Sequence, residues 1–169
     1  MRVFLFLVVL STLLSCTGVP PGAKPVSDFQ LDRYLGTWYE IARLDHSFER
    51  GLQQVTAQYT MRDDGGVRVL NRGFDVTEGE WQEAIGKAYF VDSSSVGRLK
   101  VSFFGPFYGA YNIVKLADDY SMALIVGPDP TYGWILARTP LVEPQQLAEY
   151  QKAAEQLGIA QSSWILVSH

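Results

Sequence analysis

The sequence predicts an all-β protein of eight antiparallel strands, arranged as an up-and-down barrel or a sandwich, with one helix near the C-terminus. Three observations carry this expectation. Period-two segments follow one another between residues 37 and 138 and are separated by turn signals, the mark of short half-buried strands. Aromatic residues are abundant, with nine Tyr, nine Phe and four Trp, and they favour pleated surfaces. Only residues 144–157 carry a helical period.

The strands are expected at about 37–44, 54–62, 67–72, 80–90, 98–104, 107–117, 121–127 and 132–138. In the second, Val55, Ala57, Tyr59 and Met61 alternate with Gln54, Thr56, Gln58 and Thr60. Asp63-Asp64-Gly65-Gly66 then reads as a hairpin turn, because Asp-Gly tolerates positive φ at both central positions. Turns at 77–79, 93–95, 105–106, 118–119 and 127–130 separate the later strands. In the helix, Leu147, Tyr150, Ala154 and Leu157 form one apolar stripe, Pro144 suits the first turn and Gly158 the C-terminal cap. Residues 164–167 read as a last short strand. The 169 residues fit one domain and can bury a core without staples.

Composition excludes several functions. A net charge of −4 argues against nucleic acid, whose phosphates need a basic face. The single cysteine excludes a disulfide framework within the chain. No cluster of His, Cys and carboxylates has metal-ligand spacing, so no metal and no cofactor is expected. His46 and His169 sit in no catalytic motif, Asp45-His46 reads as a solvated pair in a loop, and Ser93-Ser94-Ser95 as a hairpin loop. The chain is not expected to be an enzyme.

The N-terminus reads as an address. Met1-Arg2 precedes an apolar run from Val3 to Leu10, and Leu13-Leu14-Ser15-Cys16 follows. The pattern is that of an export signal, too short for a span of about 20 apolar residues. Leu13 to Cys16 resembles the lipobox of bacterial lipoproteins. The resemblance implies a signal peptide over 1–15, cleavage before Cys16 and lipidation of Cys16, and Thr17 in place of Asp implies sorting to the outer membrane. Residues 16–27 then form the lipidated N-terminus and a Pro-rich tether, and 28–169 the folded domain. At about 3.1 Å per residue such a tether reaches on the order of 30 Å.

Gly36-Thr37-Trp38, at the entry to the first strand, resembles the Gly-x-Trp signature of the lipocalin family. Gly lets the chain turn sharply and Trp plugs the closed end. Arg138 matches the family's arginine over that Trp. Gly127 to Tyr132 stands where a second signature falls but departs from it, reading Gly-Pro-Asp-Pro-Thr-Tyr. The segments GTWYEIAR from Gly36, FERG from Phe48, RDDGG from Arg62, GKAYF from Gly86 and KVSFFGPFYG from Lys100 resemble the bacterial outer-membrane branch, lipid-anchored relatives of apolipoprotein D. The resemblance implies an eight-stranded up-and-down antiparallel lipocalin barrel with one C-terminal α-helix packed outside. It also implies attachment to the outer membrane through acylated Cys16, facing the periplasm.

A barrel of eight strands is wide enough for one small ligand. Strand parity assigns its walls: Trp38, Glu40 and Ala42; Val55, Ala57, Tyr59 and Met61; Val67, Val69 and Asn71; Ala84, Gly86, Ala88 and Phe90; Leu99, Val101 and Phe103. With Lys115 in water, Tyr108, Ala110, Asn112 and Val114 face inward, followed by Met122, Leu124 and Val126, then Tyr132, Trp134 and Leu136. Glu40, Val55, Ala57, Tyr59, Val69, Asn71, Ala88, Tyr108, Ala110, Asn112, Leu124 and Trp134 are the candidate ligand-binding residues. Small residues among them leave room for an elongated hydrocarbon, and Glu40, Tyr59, Asn71, Tyr108 and Asn112 could meet a polar head. The expected partner is an amphiphilic lipid, a fatty acid or a lysophospholipid, stored or transported for the membrane, with envelope stress as a setting. A homodimer is left open. Two rivals remain: an envelope interaction module with a filled barrel, and a lipid esterase.

Overall fold

The computed structural model describes residues 17–169. The expected elements appear in order. A single helical turn, α1 (Leu31–Tyr34), leads into β1 (Gly36–Arg43), β2 (Leu52–Met61), β3 (Val67–Asp75) and β4 (Glu80–Phe90). Then come β5 (Arg98–Ser102), β6 (Gly109–Leu116), β7 (Met122–Val126), β8 (Gly133–Ala137), α2 (Pro144–Glu155) and the short β9 (Ile165–Leu166). Each of β1 to β8 pairs with its neighbour in sequence. The first half of β1 pairs with β2 and its second half with β8, so the sheet closes into an eight-stranded antiparallel barrel. Closure leaves no free edge among the eight. Among the described residues no helix is long and apolar enough to cross a membrane.

Antiparallel alternation puts the connections 44–51, 76–79, 103–108 and 127–132 at one end of the barrel, the mouth. The other end is closed by α1, by Phe29 and by Tyr120, all packed into the inner core with Trp38. A second core lies outside the wall. There Ile41, Met122, Leu124, Val126 and Ile135 meet Tyr150 and Ala154 of α2. Gly158 follows the helix at φ +84°, a left-handed cap that glycine adopts without a Cβ penalty.

Two strands turn the opposite way from the expectation. Ile113 of β6 and Ala123 and Ile125 of β7 belong to the inner core, with Tyr111 packed against it. Leu124, Met122 and Val126 face α2, and Asn112, paired with Val126, shares that outer face. The cause on β6 is a bulge between Ile113 and Lys115. One extra residue reverses parity along a strand, so Lys115 points outward to Glu149 without placing Asn112 inside. On β7 both faces are buried, one by the barrel and one by α2, so no polar residue marks either side. A further bulge between Glu40 and Ala42 sends Ala42 outward and turns Arg43 in.

The N-terminal segment is no free tether. Val26 N donates to Ile113 O at 2.9 Å, Gly97 N to Val26 O at 2.8 Å and Phe29 N to Ser95 O at 2.9 Å. Asn112 Nδ2 donates to Gly18 O at 3.1 Å, and Arg98 Nη2 to Thr17 O at 3.3 Å. Asn112 thus serves as a clasp for this strap. Composition favoured an extended chain; the bonds to the wall hold it down. Cys16 and the expected signal peptide lie outside the described residues.

Candidate ligand-binding site

The closed end is built around Trp38, which is fully buried. Its Nε1 donates to Tyr34 O at 2.8 Å. The Arg138 guanidinium caps its ring at 4.0 Å from the centroid and donates to the carbonyls of Thr37, Arg33 and Leu35 at 2.8–2.9 Å. These are the orphan carbonyls around α1, which a planar fork of donors can reach together. Gly36 sits beside them at φ +98°, backbone that glycine adopts without strain.

Above this plug the barrel holds a cavity of about 710 Å³. Its floor carries three hydroxyls. Tyr111 Oη lies 2.8 Å from Tyr34 Oη and 2.9 Å from Tyr59 Oη. Burial holds all three phenols above their ordinary value of 10.0, so they stay neutral hydrogen-bonding groups. The walls between floor and mouth are apolar apart from Asn71 of β3. Val55, Val69, Ala88, Leu99 and Val101 line them, and the Phe103 ring lies over Gly86. A Cβ on Gly86 would come within 2.9 Å of that ring, so the glycine makes room for it.

Near the mouth the polar groups form one cluster. Arg43 Nη1 donates to Glu40 Oε1 at 2.8 Å, and Nη2 donates to the carbonyls of Glu49 and Leu52 at 2.8 and 3.0 Å. Trp134 Nε1 donates to Glu49 Oε2 at 3.0 Å. Two carboxylates therefore share one cation. Burial, and then the charge of Glu49, raise the Glu40 pKa above its ordinary 4.5. Burial raises Glu49 too, against the bond from Trp134 and the charge of Arg43. Such a cluster costs desolvation that one guanidinium offsets only in part. His46 is buried, not solvated. Its ring stacks on Phe48 and Tyr132 at centroid distances of 5.2 and 4.9 Å, and burial lowers its pKa below 6.5. Asp45 pairs instead with Arg50.

Of the candidate ligand residues, Glu40, Val55, Tyr59, Val69, Asn71, Ala88 and Trp134 line the cavity. Ala57 is buried in the inner core, between Val55 and Tyr59 on β2, without lining the cavity. Tyr108 and Ala110 touch the cavity at its edge, but the expectation that they face inward is corrected. Ala110 pairs with Lys100, while the Tyr108 ring packs beside Tyr89 and the Lys100 ammonium on the outer wall. Asn112 and Leu124 lie outside the barrel wall, for the reasons given above. Sequence reasoning missed Arg43, Tyr34 and Tyr111. The bulge hid Arg43, and the same parity error excluded Tyr111. The mouth loop 127–132 turns on Asp129, whose Oδ1 accepts from Thr131 N at 2.8 Å.

No group of three or more His, Cys, Asp or Glu side chains that could hold a metal ion occurs among the described residues.

The comparisons with known proteins agree. Residues 29–169 match the model of the lipocalin-like domain. The chain is 54% identical over 165 residues to the outer membrane lipoprotein Blc of Vibrio cholerae, covering 96% of each. It is 51% identical over 148 residues to the Blc of Escherichia coli, covering 88% of this chain and 84% of the relative. Among solved structures it resembles insecticyanin from the tobacco hornworm, with a TM-score of 0.72 at 23% identity over 90% of this chain and 87% of the other. The chain belongs to the lipocalin family, in the branch of the bacterial outer membrane lipoproteins.

Proposed function

We propose that the protein is anchored to the outer membrane through acylated Cys16, faces the periplasm, and holds one single-chain amphiphile, a fatty acid or a lysophospholipid, for storage or transport of membrane lipids. Repair of a damaged envelope is the setting that suits it. The observation that carries this reading is the cavity. Its volume of about 710 Å³ lies within the range of about 300–1,000 Å³ of small-molecule sites, and its lining is apolar between floor and mouth apart from Asn71. Burying about 15 methylenes contributes on the order of 12 kcal/mol gross. Lost translational and chain freedom offset much of this, leaving micromolar to nanomolar affinity. An open cavity disfavours the filled interaction module, and the Asp45–Arg50 pair leaves the esterase without a dyad.

The mouth ranks the two lipid classes. The donors of Arg43 that bond are spent on Glu40 and on the Glu49 and Leu52 carbonyls, so a fatty-acid carboxylate meets a guanidinium that is already engaged. A head that donates hydrogen bonds or carries an ammonium group fits the acidic pair better. Titration with a fatty acid and with a lysophospholipid, followed by tryptophan fluorescence, tests the reading. Saturable one-to-one quenching that disappears in Trp134→Phe supports it. Absence of quenching with both lipids overturns it.

A further inference from the structure

The strap and the outer wall of the barrel point to one more surface. Traced back toward the N-terminus, the strap leaves the β5–β6 edge at Val26 and returns to it. Ala23 packs on the outer core beside α2, Gly18 is clasped by Asn112 of β6, and Thr17 is bonded to Arg98 of β5. Thr17, the residue after Cys16 in the sequence, is thus held at the outer face of β5. Beyond β5, away from β6, lie β4 and β3.

The outer face of these three strands differs from the rest of the chain. Register with the inward-facing Val67, Val69 and Ala88 puts Arg68, Arg72, Lys87 and Lys100 on it, with Arg98 at its margin. Arg72 pairs with Glu83 and Arg98 with Asp92, which leaves Arg68, Lys87 and Lys100 as the cations of this face without an ion pair among the described residues. A chain of net charge −4 therefore carries a locally cationic wall. Arg68 stands directly opposite Lys87, and neither forms an ion pair among the described residues. Like charges directly across a ladder are unfavourable unless an anion lies between or above them. Apolar side chains stand in the same rows. Trp81 is 44% and Ile85 59% exposed, Ile85 opposite Leu70 and Trp81 opposite Phe74. A basic surface interleaved with an exposed indole and aliphatic groups suits the interface of a bilayer containing anionic lipid.

We propose that the outer face of β3, β4 and β5 rests on the anionic lipid surface, so that the barrel lies side-on beside its anchor with the mouth opening along the leaflet. This rests on the reading that Cys16 is acylated, and it replaces a domain standing off on a long tether. The strap fixes which wall meets the lipid, and the cations and Trp81 supply the attraction. The electrostatic part decays within a Debye length of about 8 Å at physiological ionic strength, so it acts only because the strap keeps this wall close.

Amine footprinting of the acylated full-length protein, on vesicles of phosphatidylethanolamine with and without phosphatidylglycerol, tests it. Flotation in about 1 M salt, where the Debye length is about 3 Å, reports the anchor alone. With phosphatidylglycerol present at low salt, acetylation of Lys87 and Lys100 is expected to fall several-fold relative to Lys152 on α2. Arg68→Glu, which gives Lys87 an opposite charge and so spares the fold, is expected to float as before but lose most of that protection. Protein that floats while all three lysines label alike overturns the side-on contact alone. Protein that does not float in salt overturns the anchor and the contact with it. Protection in detergent without vesicles, growing with protein concentration, assigns the wall to a second copy and also overturns the proposal.

Discussion

The guanidinium of Arg138, at the end of β8, lies 4.0 Å from the centroid of the Trp38 ring near the start of β1. This contact joins the first and last strands of the barrel across its closed end. It also satisfies three carbonyls of α1 and its flanks, so one side chain closes the floor and caps a helix end. Arg138→Ala is expected to cost about 2–4 kcal/mol, from the lost cation–π contact and the orphaned carbonyls. Arg138→Lys should recover less than half, because an ammonium cannot fork to several acceptors. Urea denaturation of the three proteins measures both.

Gly36 tests the same corner from the backbone. At φ +98°, Gly36→Ala is expected to cost about 1–3 kcal/mol by strain. A Cβ there would stand 3.4 Å from Arg138 Nη1, which is tolerable, so the loss should persist in an Arg138→Ala background. A loss that vanishes there would assign the glycine to packing instead.

The acidic pair at the mouth predicts a pH dependence. Burial first, and then Glu49, raise Glu40 above its ordinary 4.5. The folded chain therefore keeps a proton that the unfolded chain has already released. The stability this contributes is fully present below pH 4.5 and is lost as pH rises through the raised value. Glu49→Gln removes the like charge and should flatten the decline. Thermal midpoints across about pH 5–8, compared with the parent, report it; parallel curves would contradict the coupling.

The strap predicts a local effect. Asn112 Nδ2 donates to Gly18 O and to Gly127 O, both at 3.1 Å. Asn112→Ala leaves both carbonyls without that donor and is expected to cost about 1–3 kcal/mol. Hydrogen exchange should accelerate over residues 17–27 and change little in β2 and β3. Unchanged exchange in the strap would mean that the Val26 bonds alone hold it.

Most of the fold was legible because its signals are local. The alternation of Val55 to Met61, the Asp-Gly turn, Pro144 and Gly158 each act within a few residues. The site was legible where a strand keeps strict parity, as Val69 and Ala88 do. It failed where geometry breaks parity. The bulge before Lys115 reversed Asn112 and exposed Tyr111 to the cavity, and the bulge after Glu40 turned Arg43 inward. Leu124 could not be placed because β7 is apolar on both faces. The strap was misread because its fate depends on Asn112 and Arg98, more than 80 residues away in sequence, and composition cannot see such bonds.

A residue on the cavity wall gives the complementary prediction for binding. Ala88 is buried and lines the cavity on β4. Ala88→Phe should fill part of the space and weaken lipid binding at least tenfold, about 1.4 kcal/mol. Leu124→Ala, outside the wall, should lower stability by about 2–5 kcal/mol while leaving the affinity of the folded protein within about twofold of the parent.

The central claim is that the cavity holds one single-chain amphiphile. Native mass spectrometry of the protein taken from bacterial membranes, with the bound molecule released and identified in the same spectrum, tests it most directly. The account predicts one amphiphile per barrel, a lysophospholipid ahead of a fatty acid, displaced in Ala88→Phe. A barrel that carries no lipid and takes up neither class on addition would contradict it.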